Sequence, residues 1–179
     1  VIKKTATFSP DRVYRYVLER VLNENEKTCM FIGLNPSTAD ETNDDPTVRR
    51  CINFVRAWGY GTLLMTNIFA YRSTDPKKLY EVEDPVGNEN DWWLVECRTR
   101  SSLVVGAWGN IGTYHDRGKQ VITLISAHQL RCLGVTKTLQ PRHPLYLRGD
   151  LFSMLYEDAI KNPDFIPIRK PPKTLLDFK

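Results

Sequence analysis

The stretch CMFIGLNPSTADETNDDPTVRR, residues 29–50, decides how the chain is read. From Thr28 to Leu34 it is an apolar run of strand length, without the alternation of a strand that has one wet face; both faces are therefore expected to be covered. Asp45 and Pro46 then open an amphipathic segment that runs to Gly59. A side-chain oxygen at the cap, proline at the first helical position and glycine at the end are the signals of a complete helix. Between strand and helix lies a polar loop holding Asn35, Pro36, Ser37, Thr38 and the acids Asp40, Glu41, Asp44 and Asp45. A covered strand feeding a helix is half of a βαβ unit, and it predicts a parallel sheet with helices on both faces.

The same grammar repeats outward. Further strands are expected at 62–70 (TLLMTNIFA), 102–108 (SLVVGAW) and 129–135 (QLRCLGV), and helices at 88–101, 115–127 and within 148–162, with a short one in DPKKLYEV. Toward the N-terminus, SPDRVYRYVLERVLNE (9–24) reads as a helix capped by Ser9, with Pro10 at its first turn and Val13, Tyr16, Val17, Leu18 and Val21 on one stripe. The expected fold class is α/β: a three-layer α/β/α sandwich around four parallel strands. One domain is expected over 1–162, followed by a proline-rich C-terminal arm, 163–179, which also carries the basic residues Arg169 and Lys170.

Composition sets the bounds. A chain of 179 residues, 41% hydrophobic and 26% charged, suits a single globular core. It has no apolar run near the length of a membrane span. VIKKTATFSPDR lacks a signal-peptide core, so the expectation is a cytoplasmic protein. Cys29, Cys51, Cys97 and Cys132 form no CxxC pair, which removes zinc-finger and iron–sulfur spacings and fits a reducing compartment. A net charge of +4 permits a polyanionic partner without requiring one. No cofactor is expected.

In an open parallel sheet the ligand crevice lies beyond the carboxyl ends of the strands. The loops leaving that rim carry Asn35, Ser37, Thr38, Asp40, Asn67, Arg72, Asp75, Trp108, Arg142, His143 and Tyr146. Each has a plain structural alternative. Asn35 can close an Asx turn before Pro36; Asp45, Thr47 and Asp75 suit helix caps; Phe69 and Trp108 end apolar strands and are core residues by default, although their rim position also suits stacking on a base. The four acids of the first loop suit a divalent cation or, more commonly, a solvated surface, and no metal is assigned to them. His115 and His128 lie near helix ends and read as structural. His143, between Arg142 and Pro144 in a rim loop, stands apart.

The motifs GLNPSTAD, DPTVRRC, TNIFAYRSTDP, GNEND, AWG and PRHPLYL, in that order over almost all of residues 8–152, resemble the signature of a bacterial and phage family defined only as domain of unknown function 1643. More distantly, GLNP after the first strand of the run, MTN at the second, LVVGAWG at the third and HPLY after the fourth resemble the motifs of the uracil-DNA glycosylase superfamily. That resemblance implies a sheet order of 2-1-3-4. It implies Asn35 and His143 as the catalytic pair, Asn35 orienting water and His143 donating to the departing base. Phe69 would stack on the base. The Ser-Pro that follows His-Pro in those enzymes is replaced by Leu145-Tyr146, which argues against duplex insertion.

Three functions follow as expectations: hydrolysis of an N-glycosidic bond in a base-bearing substrate, nucleotide binding without cleavage, or a metal-dependent hydrolase or transferase built on the acidic loop. The expected substrate-binding set is Ser37, Thr38, Asn67, Phe69, Arg72, Trp108, Arg142 and Tyr146. The expected partner is a nucleotide or single-stranded nucleic acid, with no membrane.

Overall fold

A computed structural model describes residues 1–126 and 129–167. His128, Arg169, Lys170 and most of the expected C-terminal arm therefore lie outside the described residues. Among those described, seven strands form one mixed sheet: β1 (Lys3–Phe8), β2 (Arg15–Val21), β3 (Thr28–Gly33), β4 (Thr62–Asn67), β5 (Leu103–Gly106), β6 (Leu130–Cys132) and β7 (Met154–Leu155). Their order is β1-β2-β4-β3-β5-β6-β7. The four apolar runs pair in parallel, β4 with β3, β3 with β5 and β5 with β6. The expectation of a four-stranded sheet is corrected by three antiparallel additions: the hairpin β1–β2 beside β4 and the short β7 beside β6.

Residues 9–24, expected as a helix, contain no helix: Arg15–Val21 form β2 and the rest are turn and loop. Val13, Tyr14, Tyr16, Val17 and Val21 are residue types that favour a pleated surface. Placed between β1 and β4, β2 buries Arg15, Tyr16, Val17, Leu18 and Arg20 together, so both of its faces are covered. Apolar spacing alone fitted a helix; burial of two arginines decides for the strand.

Four helices are described: α1 (Pro46–Ala57), α2 (Asn90–Thr99), α3 (Arg117–Leu124) and α4 (Tyr156–Lys161). Asp45 caps α1 by accepting from the Val48 amide at 2.8 Å, and Pro46 occupies the first turn, as the sequence predicts. The segment DPKKLYEV forms a 3₁₀ turn at Pro76–Tyr80, capped by Asp75. The pleat of β3 divides the core. Cys29 and Phe31 pack with Leu63, Met65 and the α1 residues Val48, Cys51, Phe54 and Val55 on one face. Met30 and Ile32 pack with Leu64, Leu94, Cys97 and Val121 on the other, under α2 and α3. Burying such side chains contributes about 1.5–3 kcal/mol each against exposure. No helix among the described residues is long and apolar enough to cross a membrane.

Candidate functional site

The loop that follows β3 is held down by the N-terminal hairpin. Arg20, fully buried, donates to Asp44 at 2.6 Å and to the carbonyls of Thr5, Glu19, Asp40 and Asn43. Lys4 reaches the other Asp44 oxygen at 2.9 Å, and Arg12 forms a two-pronged pair with Glu41. Asp40 accepts from the amides of Thr42 and Asn43, so its carboxyl sits far below the usual range. At Asp44, burial works to raise the pKa, but the hydrogen bonds from Lys4 and Arg20 outweigh it and the net shift is downward. Glu41 and Asp44 thus serve as the anionic half of a clamp between loop and hairpin.

The clamped loop forms one wall of a cavity of about 280 Å³ at the carboxyl end of β3 and β4. Asn35, Ser37, Asp45 and Thr47 come from the loop and the start of α1; Gly33, Met65 and Asn67 from the strands; Ser73, Thr74 and Pro76 from the segment after β4; Arg15 from β2; and His143 from the loop after β6. Four distant pieces of chain therefore converge at the end of the parallel strands.

The polar atoms have defined orientations. The Asn35 amide nitrogen donates to the carbonyls of Pro36 (3.1 Å) and Ser73 (2.9 Å). Both of its hydrogens are thereby used, and its side-chain oxygen remains as an acceptor. Asn67, almost fully buried, accepts from an Arg15 terminal nitrogen at 3.4 Å, which leaves its own amide hydrogens without a protein acceptor among the described residues. A Cβ on Gly33 would lie 2.8 Å from that amide nitrogen, so glycine is what allows Asn67 this position. His143 accepts from the Leu145 amide through Nδ1 at 3.4 Å. Burial lowers its pKa, with Asp45 acting in the opposite sense. The neutral ring with Nδ1 as acceptor carries its hydrogen on Nε2, and it presents a donor.

The other expected site residues are placed as follows. Arg72 and Thr38 line an adjoining groove of about 570 Å³, which shares Ser37, Ser73 and Thr74 with the cavity. Arg72 donates to the Arg12 carbonyl and lies over the Phe8 ring at 4.8 Å. Phe69 and Trp108 are buried and do not reach the cavity: Phe69 meets Tyr114, and Trp108 donates to Gln140 at 2.8 Å. Arg142 turns back to the Val135 carbonyl. Tyr146 stands 91% exposed, at the end of the single 3₁₀ turn that follows His143. Asp45, expected as a helix cap, also faces the cavity, and so does Arg15, which the sequence analysis gave no role because its segment was read as a helix.

A larger hollow of about 630 Å³ opens at the opposite rim, between Trp58, Tyr60, Ser101, Arg131 and Phe152. Its one charged side chain, Arg131, is engaged by Ser153, so it lacks the convergent free donors and acceptors of the smaller cavity.

The family model described as protein of unknown function (DUF1643) matches residues 15–145. The chain belongs to this family. The matched span runs from the first residue of β2 into the 3₁₀ turn after His143, so it holds every residue of the cavity. No curated protein and no solved structure matches the chain.

Proposed function

We propose that this member of the DUF1643 family is a hydrolase of N-glycosidic bonds acting on a nucleotide or a base in single-stranded nucleic acid. One observation carries the reading: the Asn35 side-chain oxygen, the Asp45 carboxylate and a neutral His143 face a single cavity that Asn67 helps to floor. The order of the central strands, β4-β3-β5-β6, supports it, since it is the order implied by the resemblance to uracil-DNA glycosylases. At about 280 Å³ the cavity accepts a base-sized fragment, and the adjoining groove takes the remainder of the substrate.

Breaking the bond places positive charge on the sugar and negative charge on the departing base. Asn35 accepts one hydrogen of the attacking water and aims its oxygen at the anomeric carbon. Asp45 uses one oxygen to cap α1; the other has no protein donor among the described residues and takes the water's second proton as the carbon–oxygen bond forms. The bonding pair leaves with the base, whose developing anion receives a hydrogen bond from Nε2 of His143, while Asn67 contributes amide hydrogens to the base edge. A neutral imidazole serves here because its donor is needed as a hydrogen bond rather than as a charge.

The acidic loop offers little to the metal-dependent alternative. Asp44 is bound by Lys4 and Arg20, Glu41 by Arg12 and Asp40 by its own loop amides. The test is release of free base, read by mass spectrometry, from a panel of nucleosides, nucleotides and single-stranded oligonucleotides carrying ordinary and modified bases. Base release is expected, with a loss of about 100-fold in Asn35→Ala and His143→Ala, on the scale of a positioned acid–base or donor group. Stabilisation by a nucleotide without any product would replace this reading with that of a binding module.

A further inference from the structure

Three arginines are buried among the described residues, and they are not treated alike. Arg20 has Asp44, and Arg117 has Asp91 together with the Ile68 carbonyl. Arg15, 2% exposed, forms no ion pair among the described residues. It donates to the Ala39 carbonyl at 2.8 Å and to Asn67 at 3.4 Å, and its Nε has no partner among the described residues. A guanidinium has five N–H groups, so most of its donor capacity is unused. An unpaired charge in the interior is costly, and the other two buried arginines show how this fold ordinarily compensates one.

The arginine without a bonded carboxylate is also the one that faces the cavity. Around it lie the hydroxyls of Ser37 and Thr47, neither with a protein partner among the described residues. The N-terminus of the 12-residue helix α1 ends on the same wall, with its positive dipole end at Thr47. Asp45 shares the wall, and its field, with that of Asp40, favours the charged guanidinium, but neither carboxylate is hydrogen-bonded to Arg15, and one Asp45 oxygen is held by the Val48 amide. Arg72 in the adjoining groove adds a second cation whose field reaches Arg15. Burial lowers the Arg15 pKa to about 10, so it remains charged at neutral pH.

We propose that Arg15 forms an oxyanion subsite in the cavity, so that the ligand carries a phosphate or carboxylate group which supplies the hydrogen-bonded counter-charge that Asp45 and Asp40 do not. This deepens the proposed function and rests on the same cavity: it names the substrate as an anionic one, a nucleoside phosphate or a nucleoside with a carboxylated base, in preference to a neutral nucleoside.

The test uses calorimetric titration of the full chain with inorganic phosphate, uridine, uridine 5′-monophosphate and orotidine, the last being uridine with a carboxylate on its base. One of the two anionic nucleosides is expected to bind about 10- to 100-fold more tightly than uridine, as a charged hydrogen-bonding partner implies. Tighter monophosphate and measurable inorganic phosphate assign the oxyanion to phosphate; tighter orotidine alone assigns it to carboxylate. In Arg15→Met the advantage should vanish and the melting temperature should hold or rise, because an unpaired buried charge has been removed; Arg15→Lys should keep part of the advantage. Equal binding of neutral and anionic ligands, binding of none of them, or an advantage that survives Arg15→Met would overturn the proposal. Arg15-dependent binding without base release would reject the hydrolase and leave this subsite standing. Equal release from neutral and anionic substrates would do the reverse.

Discussion

Replacing Arg20 by methionine should unclamp the loop after β3 at a measurable cost. Methionine fills most of the aliphatic volume of arginine, so the loss is chiefly of the charged head and its hydrogen bonds. That head makes five: to Asp44 at 2.6 Å and to the carbonyls of Thr5, Glu19, Asp40 and Asn43 at 3.2, 2.9, 2.6 and 3.3 Å. Removing one partner of a buried ion pair costs about 3–5 kcal/mol. The lower end applies here, because Asp44 keeps Lys4 at 2.9 Å and the Asp40 and Asn43 carbonyls belong to a loop that water can reach. About 3 kcal/mol corresponds to roughly 6–12 °C in melting temperature for a chain of this size. Urea unfolding followed by tryptophan fluorescence gives the free energy. The cycle with Asp44→Asn isolates the pair, with a coupling expected on the order of 2 kcal/mol. A loss below about 1 kcal/mol, or additive single effects, would refute the clamp. The contrast with Arg15→Met sharpens the test: of two buried arginines on one strand, only the paired one should be missed by the fold.

Trp108→Ala should cost about 3–5 kcal/mol in the same assay, since the ring is core rather than cavity wall, and a small loss would return Trp108 to the list of ligand contacts. His143 has a folded-state pKa lowered by burial. As pH falls below the ordinary histidine value of about 6.5, the unfolded chain takes up a proton that the native one refuses, so stability declines with falling pH until the lowered pKa is passed. His143→Gln should flatten that part of the stability profile, and an unchanged profile would show that His143 is not the group responsible. Binding to a fluorescent single strand should weaken with salt at a slope equivalent to about two or three phosphates, with Arg72 and Arg142 the described cations; tight duplex binding with a steep slope would contradict the single-strand reading.

The parallel centre of the fold was legible because β3 to β6 are short apolar runs followed by helix signals, and burial on two faces leaves that mark in sequence. The hairpin was not. Arg15 and Arg20 interrupt what would otherwise be a covered strand, and their partners are a carboxylate and carbonyls far along the chain, which periodicity does not reveal. The same gap explains the site. Asn35, Ser37, Asn67 and His143 were placed at one rim because each lies at or after the end of a recognisable strand, and they line one cavity. Arg15 was missed because its strand was read as a helix. Phe69 and Trp108 were placed at the rim by chain position, but β4 and β5 end early enough that both rings turn inward.

The hairpin also has a place in the timing of folding. It precedes the rest of the sheet along the chain, and its own pairing, from Lys3 with Val21 to Phe8 with Arg15, is local. Its neighbour in the sheet, Met65 opposite Leu18, and its anchor at Asp44 come later in the chain. Closing that larger loop is the slower event, so pulse-labelled hydrogen exchange during refolding should find the β3 and β4 amides protected before those with which β2 meets β4; the opposite order would reject this sequence of events. Until then Arg15 and Arg20 are bare charges on an open ribbon. Strand edges that carry unpaired cations resist pairing with one another. The two arginines that end in the interior thus begin as guards, keeping nascent hairpins apart until the rest of the sheet exists to receive them.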